Sequence, residues 1–148
     1  MNGRRHDRNR GVISLEFVFI FPIIVALIYG AASYGVVFFS KYQMQSAVDN
    51  AAASVFSLDR RDSATFASDA VAHSDQVLDN LAQKLPPLVA TRIASSRCLV
   101  ATEDGMELLQ CELVADAGAS AFLPQVRLFG SAFPPLPKEL IASASIAF

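Results

Sequence analysis

The chain has 148 residues, room for one small domain beyond a membrane anchor. Hydrophobic residues make up 53% of it and the mean hydropathy is +0.38, which is high for a soluble protein. The net charge of −2 is unevenly spread: Arg4, Arg5, Arg8 and Arg10 oppose only Asp7 near the N-terminus, whereas the chain from Lys41 onward has 12 acidic and 8 basic side chains. That second part shows no basic patch with interleaved aromatics, which argues against a nucleic-acid partner.

Residues 1–11 are polar and basic and predict no regular structure. Residues 17–39, FVFIFPIIVALIYGAASYGVVFF, are 23 positions without a charged side chain. As a helix they extend roughly 35 Å, enough to cross a ~30 Å hydrocarbon core with some tilt. A buried helix of a soluble protein rarely runs that far without a polar face. Residues 12–40 therefore read as a single transmembrane helix. Arginines clustered at one end of a span mark the cytoplasmic side, so residues 1–11 form a cytoplasmic leader and residues 41–148 a periplasmic or extracellular domain. Inside the span, Pro22 lacks an N–H and leaves the carbonyl of Val18 without its helical donor, so a bend is expected there. Gly30, Ala31 and Gly35 offer small residues for close helix packing, a pattern that is also ordinary membrane-helix composition.

Beyond the span, Met44, Ala47, Val48, Ala51, Ala52, Val55 and Phe56 keep the i, i+3, i+4 spacing of one helix face. One long helix over residues 12–57 is expected, apolar all round at first and amphipathic afterwards, ending at the charged break Asp59-Arg60-Arg61-Asp62. A second helix is expected over residues 63–85. Asp62 or Ser63 can cap it, Phe66, Ala70, Val71, Val77, Leu78, Leu81 and Leu85 form its stripe, and Pro86-Pro87 stops it. Strands are expected at residues 97–102, 106–115, 125–129 and 139–148. In the last of these, ELIASASIAF, Leu140, Ala142, Ala144, Ile146 and Phe148 share one face. The fold class is α+β: a long N-terminal helix, half in the membrane, with its outer half and the second helix packed on a small antiparallel sheet.

Cys98 and Cys111 fall on the exported side, where an even cysteine count favours a disulfide over two free thiols. Asp104-Gly105 lies between two strand-like runs and signals a two-residue type I′ hairpin. That turn pairs Glu103 with Met106. Counting outward sets Cys98 opposite Cys111 in a non-hydrogen-bonded pair, with Cα atoms ~4.5 Å apart and within bridging distance. Such a bridge adds roughly 3 kcal/mol, useful to a small domain. His6 lies in the leader and His73 on the surface of the second helix. With the cysteines bridged, no nucleophile–base pair or metal set remains, so no catalytic residue, cofactor, metal or small-molecule substrate is expected. Asp69, Asp75 and Asp79, and the group Glu103, Asp104 and Glu107, read as solvated surface.

Glu16 is the one residue a simple anchor leaves unexplained. It interrupts GVISLEFVFIF about one helical turn past Gly11. A carboxylate there costs up to ~3 kcal/mol at the bilayer centre and less near the interface. It therefore either faces water at the headgroup level or has a partner, and the basic residues ahead of it all precede Gly11.

A basic leader, then Gly11, then a membrane helix with glutamate as its fifth residue resembles a prepilin peptidase site. The resemblance implies cleavage between Gly11 and Val12 on the cytoplasmic side. Val12 then carries a free, positively charged α-amino group, which pairs with Glu16 of a neighbouring subunit. Among pilin-like proteins, residues 10–54, RGVISLEFVFIFPIIVALIYGAASYGVVFFSKYQMQSAVDNAAAS, resemble the TadE-like pseudopilins of the Tad (Flp-type) pilus. The Arg-Gly start, Glu16-Phe17, Pro22, the Gly30 and Gly35 region and the Gln- and Ala-rich continuation carry that likeness, over about a third of the chain. It implies a non-enzymatic minor pilin of the inner membrane, working in pilus assembly with adhesion downstream. Its partners would be other pilins, the assembly platform and a prepilin peptidase. Major Flp pilins tend to have tyrosine after the glutamate and a very short chain; here Phe17 follows and a sizeable domain is present. Type II secretion pseudopilins start Phe-Thr-Leu, where this chain has Val12-Ile13-Ser14-Leu15. The other reading of the same residues is a membrane-anchored periplasmic binding or scaffold module with an uncleaved N-terminus and an incidental Glu16.

Overall fold

In the computed structural model, residues 10–59, 65–103, 105–118, 126–128 and 130–148 are described. The leader up to Asn9, the expected caps Asp62 and Ser63, and Asp104 lie outside that set. The apolar and small residues from Arg10 onward form one unbroken helix, α1 (Arg10–Ala53), with Pro22 inside it. Its 44 residues extend about 66 Å. A 3-10 turn, Ser54–Ser57, closes it, and the expected end of the first helix is met. Phe56, expected on the buried stripe, is instead 59% exposed. The 3-10 turn advances about 120° per residue rather than 100°, which swings Phe56 away from the face of Val55.

The second helix, α2 (Phe66–Gln83), has Thr65 at its N-cap without a side-chain cap bond; Ser68 donates instead to the Thr65 carbonyl at 2.7 Å. Asp69 in the first turn suits the positive end of the helix dipole. The fully covered line is Ala70, Ser74, Leu78 and Ala82, at strict i, i+4 spacing. Ser74 and Ala82 were not on the expected stripe, and their small size lets α2 approach the 3-10 turn that ends the first helix, where the hydroxyls of Ser54 and Ser74 lie 3.3 Å apart. After Pro86 the chain makes one further helical turn, α3 (Pro87–Ala90), with Pro87 at the helix start, where a missing N–H is harmless.

Two long strands follow, β1 (Ile93–Glu103) and β2 (Met106–Asp116), then β3 (Val126–Leu128), β4 (Ser131–Phe133) and β5 (Glu139–Ala147). β1, β2 and β5 form an antiparallel sheet in the order β1-β2-β5; β3 and β4 form a separate two-stranded hairpin. The expected strand at residues 125–129 is therefore only the first arm of that hairpin. Gly130, at φ +82°, turns the chain back into β4, which carries no periodicity long enough to read.

Glu103 faces Met106, Gly105 takes φ +79°, and Cys98 stands opposite Cys111, as the two-residue turn requires. The two cysteines are bridged, with their Cα atoms 4.0 Å apart. Leu109, Cys111, Leu113 and Ala115 of β2, Leu140 and Ala142 of β5, and Cys98 of β1 line one face of the sheet. Against it lie Met44, Val48, Ala51 and Ala52 of α1, Val55 of the 3-10 turn, Ala70 and Leu78 of α2, and Val89 of α3. The core is thus a two-layer α+β packing in which the outer half of α1 is an integral layer.

Candidate functional site

Three stretches of α1 have different surroundings. The first turn holds Gly11 and Val12 in helical backbone. The first backbone N–H groups of any helix have no intrahelical partner, so this turn unwinds more readily than any further along. From Glu16 to Val25 every side chain is exposed, Glu16 and Phe17 included. The ring of Phe17 lies 5.6 Å from that of Phe21, one turn on. Pro22 is also on open surface. A helix apolar all round and uncovered by its own chain suits lipid or other helices, not water.

In the third stretch, Gly30, Ser33, Val37, Ser40, Met44, Ala47 and Ala51 are buried, alternating three and four residues apart. This seam starts well inside the uncharged run. A Cβ added at Gly30 would meet the Phe133 ring at 3.9 Å, and the Tyr34 hydroxyl donates to the Pro135 carbonyl at 3.0 Å. The β4 strand and the prolines after it therefore lie against α1 at this level. Ser33 and Ser40 satisfy their hydroxyls by donating back to the carbonyls of Tyr29 (2.7 Å) and Val36 (2.8 Å), so their burial leaves no polar group stranded.

The small residues divide accordingly. Gly30 faces the chain's own β4 hairpin, whereas Ala31 and Gly35 are exposed and nothing lies within 4 Å of a Cβ added at Gly35. Gly30 and Gly35 point about 140° apart around the helix. Next to Gly35 on the open side stand Phe38 (69% exposed), Phe39 (59%) and Tyr42 (72%).

Two acids read as solvated surface have a structural task instead. Asp75 accepts from the backbone N–H of Cys98, and Asp79 accepts from the Ser96 hydroxyl at 2.6 Å. They sit one helical turn apart on α2 and hold the free edge of β1. On the opposite edge, the Gln45 amide donates to the Ser143 carbonyl of β5 at 2.9 Å. Both borders of the sheet are thus tied to helices by side chains, one way to blunt exposed strand edges.

On the open face of the sheet, Arg97, Gln110, Glu112 and Ser143 line a shallow depression of about 440 Å3, crossed by an Arg97–Glu112 ion pair of 3.0 Å that is largely solvated. Among the described residues no three His, Cys, Asp or Glu side chains come together as metal ligands would. The chemistry on display is that of surfaces: a bare apolar helix with one carboxylate, joined to a disulfide-bridged head.

A long apolar helix merges into the core of a small α+β head, an arrangement that suits a membrane anchor; among the described residues α1 is the one helix long and apolar enough to cross a membrane. Residues 11–53, a little under a third of the chain, match the family model of TadE-like proteins. The match covers α1 from Gly11 to its last residue and none of the elements that follow it. Neither a curated protein nor a solved structure gives a significant match to the chain.

Proposed function

We propose that this chain is a minor pilin of a Tad-type pilus, cut by a prepilin peptidase between Gly11 and Val12. It is held in the inner membrane by α1, with its head on the periplasmic side, until assembly. The observation that carries the reading is the coincidence of two things. The TadE-like match begins at Gly11, and Glu16 stands exposed on an uncovered apolar helix one turn after Val12. Cleavage leaves a positive α-amino group on Val12. Four residues separate it from Glu16, a rise of about 6 Å. A neighbouring helix shifted axially by about that distance brings its amine to this carboxylate, and each charge loses the penalty of standing alone in an apolar bundle. The role is structural, with other pilins and the assembly platform as partners, and adhesion is a consequence of the finished fibre.

The test is the N-terminus of the protein isolated from its native membrane. A chain beginning at Val12 supports the reading. A chain beginning at Met1 overturns it and leaves an unprocessed membrane-anchored module, and a chain beginning at any other residue overturns it as well.

A further inference from the structure

The uncharged run extends to Phe39, yet from Gly30 onward one side of α1 is covered by its own head. We infer that the outer boundary of the lipid hydrocarbon crosses α1 at Tyr29–Gly30, not at Phe39, and that the β3–β4 hairpin rests on the membrane interface as a second lipid contact. The inference needs α1 to enter a membrane, as the proposed function does, but not the cut at Gly11.

Three observations carry it. First, Phe133 lies against Gly30 and Pro135 against Tyr34. If lipid tails reached Phe39, the hairpin would sit as much as about 14 Å deep in hydrocarbon. That hairpin is three residue pairs, with no third strand beside it among the described residues. Backbone groups unpaired in lipid are what bilayers exclude most strongly. Second, residues 12–29 are long enough alone: eighteen helical residues extend about 27 Å, close to the hydrocarbon thickness. Third, Tyr29 and Tyr34 then flank the boundary, where tyrosine rings place an apolar body in the lipid and a hydroxyl among headgroups. On this placement Glu16 lies about 6 Å inside the cytoplasmic boundary. Phe38, Phe39 and Tyr42 stand beyond the acyl chains, open to neighbouring subunits.

The chain contains no tryptophan, so single tryptophans report depth without background. The full-length Ile24→Trp, Phe39→Trp and Phe133→Trp variants are placed, at low protein-to-lipid ratio, in phosphatidylcholine–phosphatidylglycerol vesicles. The lipids are brominated either near the carbonyl end or near the middle of the acyl chains. Tryptophan at 24 should be quenched most by the deep bromines. At 133 it should be quenched about twofold more by shallow than by deep ones, and at 39 by aqueous acrylamide and by neither lipid. Deep quenching at 39 or 133, or acrylamide quenching alone at 133, overturns the boundary. Acrylamide quenching at 24 overturns the membrane reading itself, a separate outcome. Formation of the Cys98–Cys111 bridge on a non-reducing gel shows that each variant has folded. Should Phe133→Trp fail that check, Tyr34→Trp reports the same contact under the same expectations.

Discussion

Asp75 on α2 takes the backbone N–H of Cys98, the amide that a non-hydrogen-bonded cysteine pair turns away from β2. A charged acceptor on a part-buried amide contributes roughly 1.5–3 kcal/mol. Asp75→Ala should lower the unfolding free energy of the solubilised chain by about that amount, and Asp75→Asn, which keeps an acceptor oxygen, by less. Denaturant unfolding followed by circular dichroism measures both. An unchanged midpoint in Asp75→Ala would return this residue to ordinary solvated surface.

What could be read along the chain was what local chemistry decides. The hairpin register follows from Asp104-Gly105 and two cysteines at mirror positions. The long helix follows from uninterrupted apolar and small residues, and the β5 face from strict alternation. The seam from Gly30 to Ser40 had no such signal. Gly30, Ser33 and Ser40 are not apolar, and what meets Gly30 is a hairpin about a hundred residues away. The same holds for Asp75 and Asp79, whose task exists only once α2 lies along β1. For Gly11 and Glu16 the physics of a membrane carboxylate raises the question, and the role proposed for them rests on the likeness to a family.

The bridge between Cys98 and Cys111 closes a loop with a sequence separation of 13. Replacing both cysteines by serine, so that no odd thiol is left, should destabilise the head by about 3 kcal/mol on the chain-entropy account. It should also abolish the mobility difference between reduced and non-reduced samples. Two wild-type thiols that react with a maleimide without prior reduction would contradict the bridge.

Gly30 and Gly35 should respond oppositely to enlargement. Gly30→Leu drives a side chain into Phe133 and should loosen the β3–β4 hairpin, seen as faster proteolysis at residues 126–137. Gly35→Leu meets open space in the single chain and should leave folding intact. If the open side of α1 packs closely against neighbouring helices, Gly35→Leu should deplete the protein from assembled fibres at unchanged membrane level. Normal incorporation of Gly35→Leu would place the helix contacts on another side.

Glu16 separates the assembly role from a passive anchor most directly. Glu16→Gln keeps the size of the side chain and removes its charge, so a processed N-terminus at Val12 should still be found in the membrane fraction. The amine of a neighbour would then be left unpaired in an apolar bundle, and breaking a buried pair in this way costs about 3–5 kcal/mol, or at least ~100-fold in an association equilibrium. The sheared fibre fraction should therefore lose the variant almost completely, while Gly11→Ala fails earlier and retains the residues ahead of Val12. Equal incorporation of Glu16→Gln and wild-type chains into fibres would show that the carboxylate has no partner there.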